Sequence, residues 1–135
     1  MRIYLDTNVF ISLFQEEMGR GLRGLNIEAR DFFERAKQRK DFICISSLFF
    51  QETKKVLFMD KNETLEKIKE QCFQIILVKD TSYEETRIFK ELGIHTPDYI
   101  HAAIAYKNCD CIVTFNTKDF KKAAKFIPLF SPNDL

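Results

Sequence analysis

Five short apolar runs, each separated from the next by a stretch of helical periodicity, constrain the fold of this chain more than any other feature. They are Ile3 to Leu5, Phe42 to Ile45, Ile75 to Val78, Cys111 to Phe115 and Ile127 to Phe130. Each has the length of a strand rather than of a helix. After the first run, Val9, Phe10, Leu13 and Phe14 recur at helical spacing, and from Glu28 to Lys40 the residues Ala29, Phe32, Phe33 and Ala36 share one helical face. Ser46-Ser47 suits the cap of a helix that runs to about Met59 and carries Glu52. Asn62-Glu63-Thr64 opens another, ending near Phe73. A further helix runs from Ser82 to Leu92 and stops at Gly93. Thr96-Pro97-Asp98 predicts a helix start with a threonine cap, proline in the first position and an acid in the first turn. A short helix is expected over 118–125, and Gly19 to Gly24 breaks the pattern and reads as a mobile loop. Strands alternating with helices imply an α/β fold with a parallel sheet covered on both sides. The unbroken run Ile75 to Val78 predicts a strand buried on both faces.

A chain of 135 residues accommodates one domain, expected here to span 1–135. A domain of this size buries roughly two-thirds of its unfolded surface, so it needs neither metal nor disulfide merely to fold. Fourteen phenylalanines and no tryptophan point to a core of rigid apolar wedges. The 21 basic and 20 acidic residues leave a net charge of +1, which argues against passive coating of nucleic acid by charge alone. Cys44, Cys72, Cys109 and Cys111 form no Cys-x-x-Cys pair, and His95 and His101 do not complete a zinc spacing. They read as small buried hydrophobes in a reducing compartment. The start Met1-Arg2-Ile3-Tyr4-Leu5-Asp6 is charged too soon for a signal peptide. No apolar run approaches the roughly 20 residues that span a bilayer, so a cytoplasmic protein without membrane contact is expected.

In parallel sheets of this kind the working site lies at the carboxyl ends of the strands, near the point where strand order reverses. Asp6 closes the first strand and Asn116 follows the fourth. Glu52 sits on the helix after the second, and Asp98 opens the helix before the fourth. Carboxylates brought together there would repel one another and raise each other's pKa unless a cation lay between them. Magnesium and manganese are hard ions that take oxygen ligands and keep several waters, so either fits such a set. They can polarise a phosphoryl oxygen and activate water for in-line attack. Neither histidine accompanies a serine or cysteine at a spacing that suggests a covalent nucleophile. Water is the expected nucleophile.

Four segments carry a resemblance. They are Ile3-Tyr4-Leu5-Asp6-Thr7-Asn8-Val9-Phe10, Glu52 in its helix, Pro97-Asp98-Tyr99-Ile100-His101-Ala102-Ala103-Ile104-Ala105, and Ile112-Val113-Thr114-Phe115-Asn116-Thr117-Lys118-Asp119-Phe120. In this order and spacing they resemble the PIN domain, and more particularly the VapC-type toxin ribonucleases of that family, over essentially the whole chain. The resemblance implies a three-layer α/β/α fold with a central parallel sheet of four to five strands. It also implies one or two Mg2+ or Mn2+ ions and endonucleolytic hydrolysis of RNA to a 5′-phosphate and a 3′-hydroxyl. Carried over by position, Asp6, Glu52 and Asp98 are the first three acids of the site. Asn116 stands where many members have aspartate; it can ligate through its carbonyl oxygen, and Asp119, one turn on, can supply the missing charge. Thr7, Asn8 and Thr114 match positions that support the acids by hydrogen bonding. A homodimer and a small inhibitory antitoxin are further implications.

Plainer readings stand beside these. Asp6 could cap a helix, Glu52 could be a solvated neighbour of Lys54 or Lys55, Asp98 could serve the helix dipole, and Asp119 could cap its own helix. His101 reads as a packed or surface histidine rather than a ligand. Lys118, Lys121, Lys122 and Lys125, with Arg20 and Arg23, could meet RNA phosphate or be a solvated face. A haloacid-dehalogenase-type phosphatase would need aspartate where Asn8 stands. A receiver domain would need paired acids after the first strand and its phosphorylated aspartate at the end of the third, where Val78-Lys79-Asp80 stands. A degenerate domain that binds a partner or RNA without cutting it, marked by Asn116, is the stronger rival.

Overall fold

The computed structural model describes residues 1–15 and 24–135. The expected loop from Gly19 and the phosphate contacts from Arg20 and Arg23 lie outside the described residues, except for Gly24. That glycine has φ of 90°, a left-handed conformation that suits a residue without Cβ, and it precedes the second helix.

Five strands form one sheet: β1 (Arg2–Leu5), β2 (Phe42–Ile45), β3 (Gln74–Leu77), β4 (Cys111–Val113) and β5 (Leu129–Phe130). Their order across the sheet is β3-β2-β1-β4-β5, and every pairing is parallel. Seven helices are seen among the described residues: α1 (Thr7–Gln15), α2 (Leu25–Arg39), α3 (Ser47–Leu57), α4 (Lys61–Gln71), α5 (Tyr83–Glu91), α6 (Asp98–Asn108) and α7 (Thr117–Phe120). From β1 to β3 the chain steps outward in one direction; it then crosses back past β1 to place β4 and β5 on the other side. Right-handed crossovers that advance in opposite directions put their helices on opposite faces. The result is three layers.

Alternation along each strand shows how the two cores are built. Ile3, Leu5, Ile43, Ile45 and Val113 face α1 to α4, where they join Phe10, Phe32, Phe33, Phe49 and Ile68. Tyr4, Cys44 and Ile112 face the other way and meet Phe89, Ala102, Ala105, Phe120 and Ile127. Six phenylalanines are fully buried, and each contributes roughly 1.5–3 kcal/mol by burial. The four cysteines are free thiols.

Three local expectations are corrected. Strand β3 pairs with β2 alone, so as an edge strand it leaves Leu77 half exposed instead of burying both its faces. Ser46 occupies the position before α3, but its hydroxyl makes no capping bond and turns to the Tyr4 phenol. At α6 the residue before the helix is Pro97, not a capping threonine, and the Thr96–Pro97 bond is cis. Helix α4 is capped by Asp60, whose Oδ1 accepts the Glu63 N–H at 2.8 Å.

Candidate active site

The strand order reverses between β1 and β4, so the carboxyl ends of these two neighbours open on one crevice. The Asp6 N–H extends the ladder to the Val113 carbonyl at 3.0 Å, and the Asp6 carbonyl then accepts Val9 N–H to begin α1. The aspartate is thereby fixed at the strand-to-helix corner. A cavity of about 500 Å³ lies over this corner, lined on its polar side by Asp6, Thr7, Asn8, Gln51, Glu52, Lys55, Asp98 and Asn116. Residues from α1, α3, α6 and the end of β4 thus share one space. Asp119 is exposed and does not line the cavity, although its charge is felt at Asp98.

Hydrogen bonds hold the acids. The Thr114 hydroxyl donates to Asp6 Oδ2 at 2.6 Å and accepts the Asn116 N–H at 2.9 Å. The Thr7 hydroxyl donates to Glu52 Oε1 at 2.8 Å. Asn8 supports the acid through its backbone, which hydrogen-bonds the Asp6 carboxyl; its side-chain amide donates to the Thr114 hydroxyl at 3.4 Å and its Oδ1 accepts Phe115 N–H at 3.3 Å. The charges are mutually felt. Burial pushes the Asp6 carboxyl above the usual carboxylate range against the His101 charge and the Thr114 hydroxyl, and the Glu52 charge adds to the rise. Asp98 is pushed up to about 6, by burial first and then by the charges of Asp6, Asp119 and Glu52, with His101 opposing. At Glu52, burial acts upward. The His101 hydrogen bond and charge, with Thr7 and Lys55, outweigh it and hold the carboxyl below its ordinary range.

His101, which the sequence reads as packed or at the surface, is packed, and it also engages an acid of the site. It is buried, at 1% exposure, and its Nε2 lies 2.9 Å from Glu52 Oε1. Burial acts to lower its pKa, but the Glu52 bond and the charges of Asp6, Glu52 and Asp98 together raise it. The available signal was spacing: His101 is three residues from Asp98 and so lies on the same helical face. Lys121, Lys122 and Lys125 line a different depression, with Leu92.

Chemically the crevice offers oxygen donors, half-buried and mutually repelling, which suits a hard divalent cation. Among the described residues no three His, Cys, Asp or Glu side chains are gathered closely enough to chelate an ion by themselves. Magnesium is commonly held by one or two carboxylates and retains water, so this donor set fits it better than a dedicated cage would. Asp6 and Asp98 can serve directly and Asn116 through its carbonyl oxygen, while Glu52 has one oxygen already engaged.

The family model for the PIN domain matches residues 3–126. Two solved structures are similar in fold. One is FitAB bound to an IR36 DNA fragment, at 16% identity and TM-score 0.62, covering 98% of this chain and 96% of that one. The other is VapBC2 from Rickettsia felis bound to a DNA fragment from their promoter, at 21% identity and TM-score 0.62, covering 97% and 98%. No curated protein matches the chain.

Proposed function

The chain belongs to the PIN domain family, and from that premise we propose that it is a metal-dependent endoribonuclease, the toxin of a toxin–antitoxin pair. One observation carries the reading: Asp6 and Asp98, far apart in the sequence, face one crevice at the switch point, and the Asp98 carboxyl is pushed up to about 6. Acids that crowd and repel one another in a cleft favour a divalent ion between them, and such an ion can drive phosphodiester hydrolysis. Asp6 and Asp98 would hold Mg2+ or Mn2+, with Asn116 and the Asp119 charge assisting and Glu52 at the margin. The bound ion would polarise the phosphoryl oxygen and lower the pKa of water. The protein groups fix the acids, exclude bulk water from Asp6, and leave the crevice open to an extended strand. Single-stranded RNA is the proposed substrate.

Incubating the protein with single-stranded RNA should give 5′-phosphate products in Mg2+ or Mn2+ and none in EDTA. Asp98→Asn should reduce the rate by about two orders of magnitude, the scale on which one electrostatic stabiliser acts. Undiminished cleavage in EDTA, or by Asp98→Asn, would contradict the proposal. The second reading, a domain that binds without cutting, is favoured by Asn116 and by the lack of a preassembled three-acid group among the described residues. Manganese that neither shifts the thermal midpoint nor supports cleavage would decide for it. The complexes named for the two similar structures support a small antitoxin as the partner, and a homodimer belongs to the same proposal. Co-expression with a short neighbouring reading frame and light scattering on the purified complex test both. No helix among the described residues is long and apolar enough to cross a membrane, and a cytoplasmic location is part of this reading.

A further inference from the structure

Behind the acidic crevice a chain of buried hydrogen bonds runs into the opposite core. The Ser46 hydroxyl lies 2.9 Å from the Tyr4 phenol oxygen, which lies 2.6 Å from His101 Nδ1. On its far side His101 Nε2 lies 2.9 Å from Glu52 Oε1. Ser46, Tyr4 and His101 are each 2% exposed or less. The four residues come from β1, the residue after β2, α3 and α6, so the chain ties three layers to one carboxylate.

The chemistry of each atom fixes how this chain can act. A glutamate carboxylate is ionised at neutral pH and can only accept, so at 2.9 Å Nε2 must carry a hydrogen and donate. That holds in either protonation state of the ring. The Tyr4 and Ser46 hydroxyls can each donate or accept, so they close the chain in both states, and burial keeps the phenol protonated. Glu52 Oε1 therefore receives two bonds, from His101 and Thr7, whereas Oε2 has no hydrogen-bond partner among the described residues. A flexible glutamate is pinned by one oxygen and keeps the other available. A buried polar network serves a purely apolar packing role poorly, because each member must be satisfied at the expense of its hydration. Its evident use is to set the position of the group at its end.

We infer that His101 is a positioning residue: backed by Tyr4 and Ser46, it orients Glu52 so that a single oxygen of that carboxylate serves the crevice. The inference rests on the metal-binding reading above. Outer partners of this kind commonly contribute about 10–100-fold in metal affinity.

The test measures manganese affinity by electron paramagnetic resonance of the free ion, alongside the metal-free thermal midpoint. Glutamine reproduces the Nε2 end of histidine, and asparagine the Nδ1 end. His101→Gln should therefore keep most of the affinity, while His101→Asn should lose about tenfold or more. The asparagine loss should disappear in a Glu52→Gln background, since the residue acts through that carboxylate. Equal losses in the two His101 variants, no loss in either, or a loss that persists in the Glu52→Gln background would each overturn the inference. Should His101→Asn fail to fold, Tyr4→Phe leaves the imidazole in place and should show a smaller loss; unchanged affinity there would also overturn it. Asp6→Asn serves as the control. If it binds manganese as well as the parent, the metal reading fails and this inference with it. If it loses the ion while the His101 variants do not, only the positioning role fails.

Discussion

Removing the Asp98 charge should stabilise the metal-free protein at neutral pH. Its carboxyl moves from an ordinary 3.8 to about 6 in the folded state. A displacement of that size corresponds to about 3 kcal/mol between the two protonation states, and solvent screening of a half-buried group reduces this to about 1–2 kcal/mol. The sign follows from proton counting. Between these two values the native state binds more protons than the unfolded chain, so stability falls as pH rises through the interval and levels off above about pH 6. Asp98→Asn removes the effect, so the variant should exceed the parent at pH 7 to 8 and match it near pH 4. For a chain of 135 residues the neutral-pH gain is a rise of about 4–7 °C in thermal midpoint. Circular dichroism melts of both proteins in EDTA, at unit steps from pH 4 to 8, read this directly. A constant offset at every pH, or an asparagine variant that melts lower than its parent at pH 7, would refute the reasoning. Adding manganese should favour the parent, because an ion that binds only the folded state stabilises it by mass action.

Other outcomes follow from particular side chains. Phe58 ends α3 in a left-handed conformation with φ of 59° and 83% exposure, so Phe58→Gly should raise unfolding free energy by about 0.5–1 kcal/mol in urea titration. Thr114→Val deletes the hydroxyl that donates to the buried Asp6 carboxylate and should destabilise the metal-free fold by about 1.5–3 kcal/mol, measured the same way. Phe32→Ala opens a void between α2 and the sheet and should lower unfolding free energy by about 3–5 kcal/mol without altering manganese affinity per folded molecule.

Much of this architecture was legible in the residues because it is local. The runs ending at Leu5 and Ile45 and the helical face of Phe32 and Phe33 announce strands and a helix through periodicity alone. Asp6, Glu52 and Asp98 could be placed at one sheet end because parallel topology dictates where strand ends point. Which strands lie at the edge is decided by pairing between distant segments, which is why Ile75 to Val78 looked central and is not. The hydroxyl of Ser46 looked like a cap because that is the local option; the phenol that takes it instead comes from a strand more than 40 positions earlier. The acid contact of His101 escaped for the same reason. A histidine among alanines and isoleucines carries no mark of the tyrosine and glutamate that the fold brings to its two nitrogens.

The central position of β1 has a consequence for synthesis. Synthesis of this strand is finished at Leu5, yet its partner on one side, β4, begins at Cys111. At translation rates of about 5–20 residues per second, that partner follows by roughly 5–20 s. Before β4 emerges, β1 can pair with β2, and β2 with β3, but one flank of β1 stays open and Asp6 lacks the Thr114 hydroxyl. Assembly of the acidic crevice therefore waits for β4 and Thr114, and until they are made one edge of β1 stays unpaired.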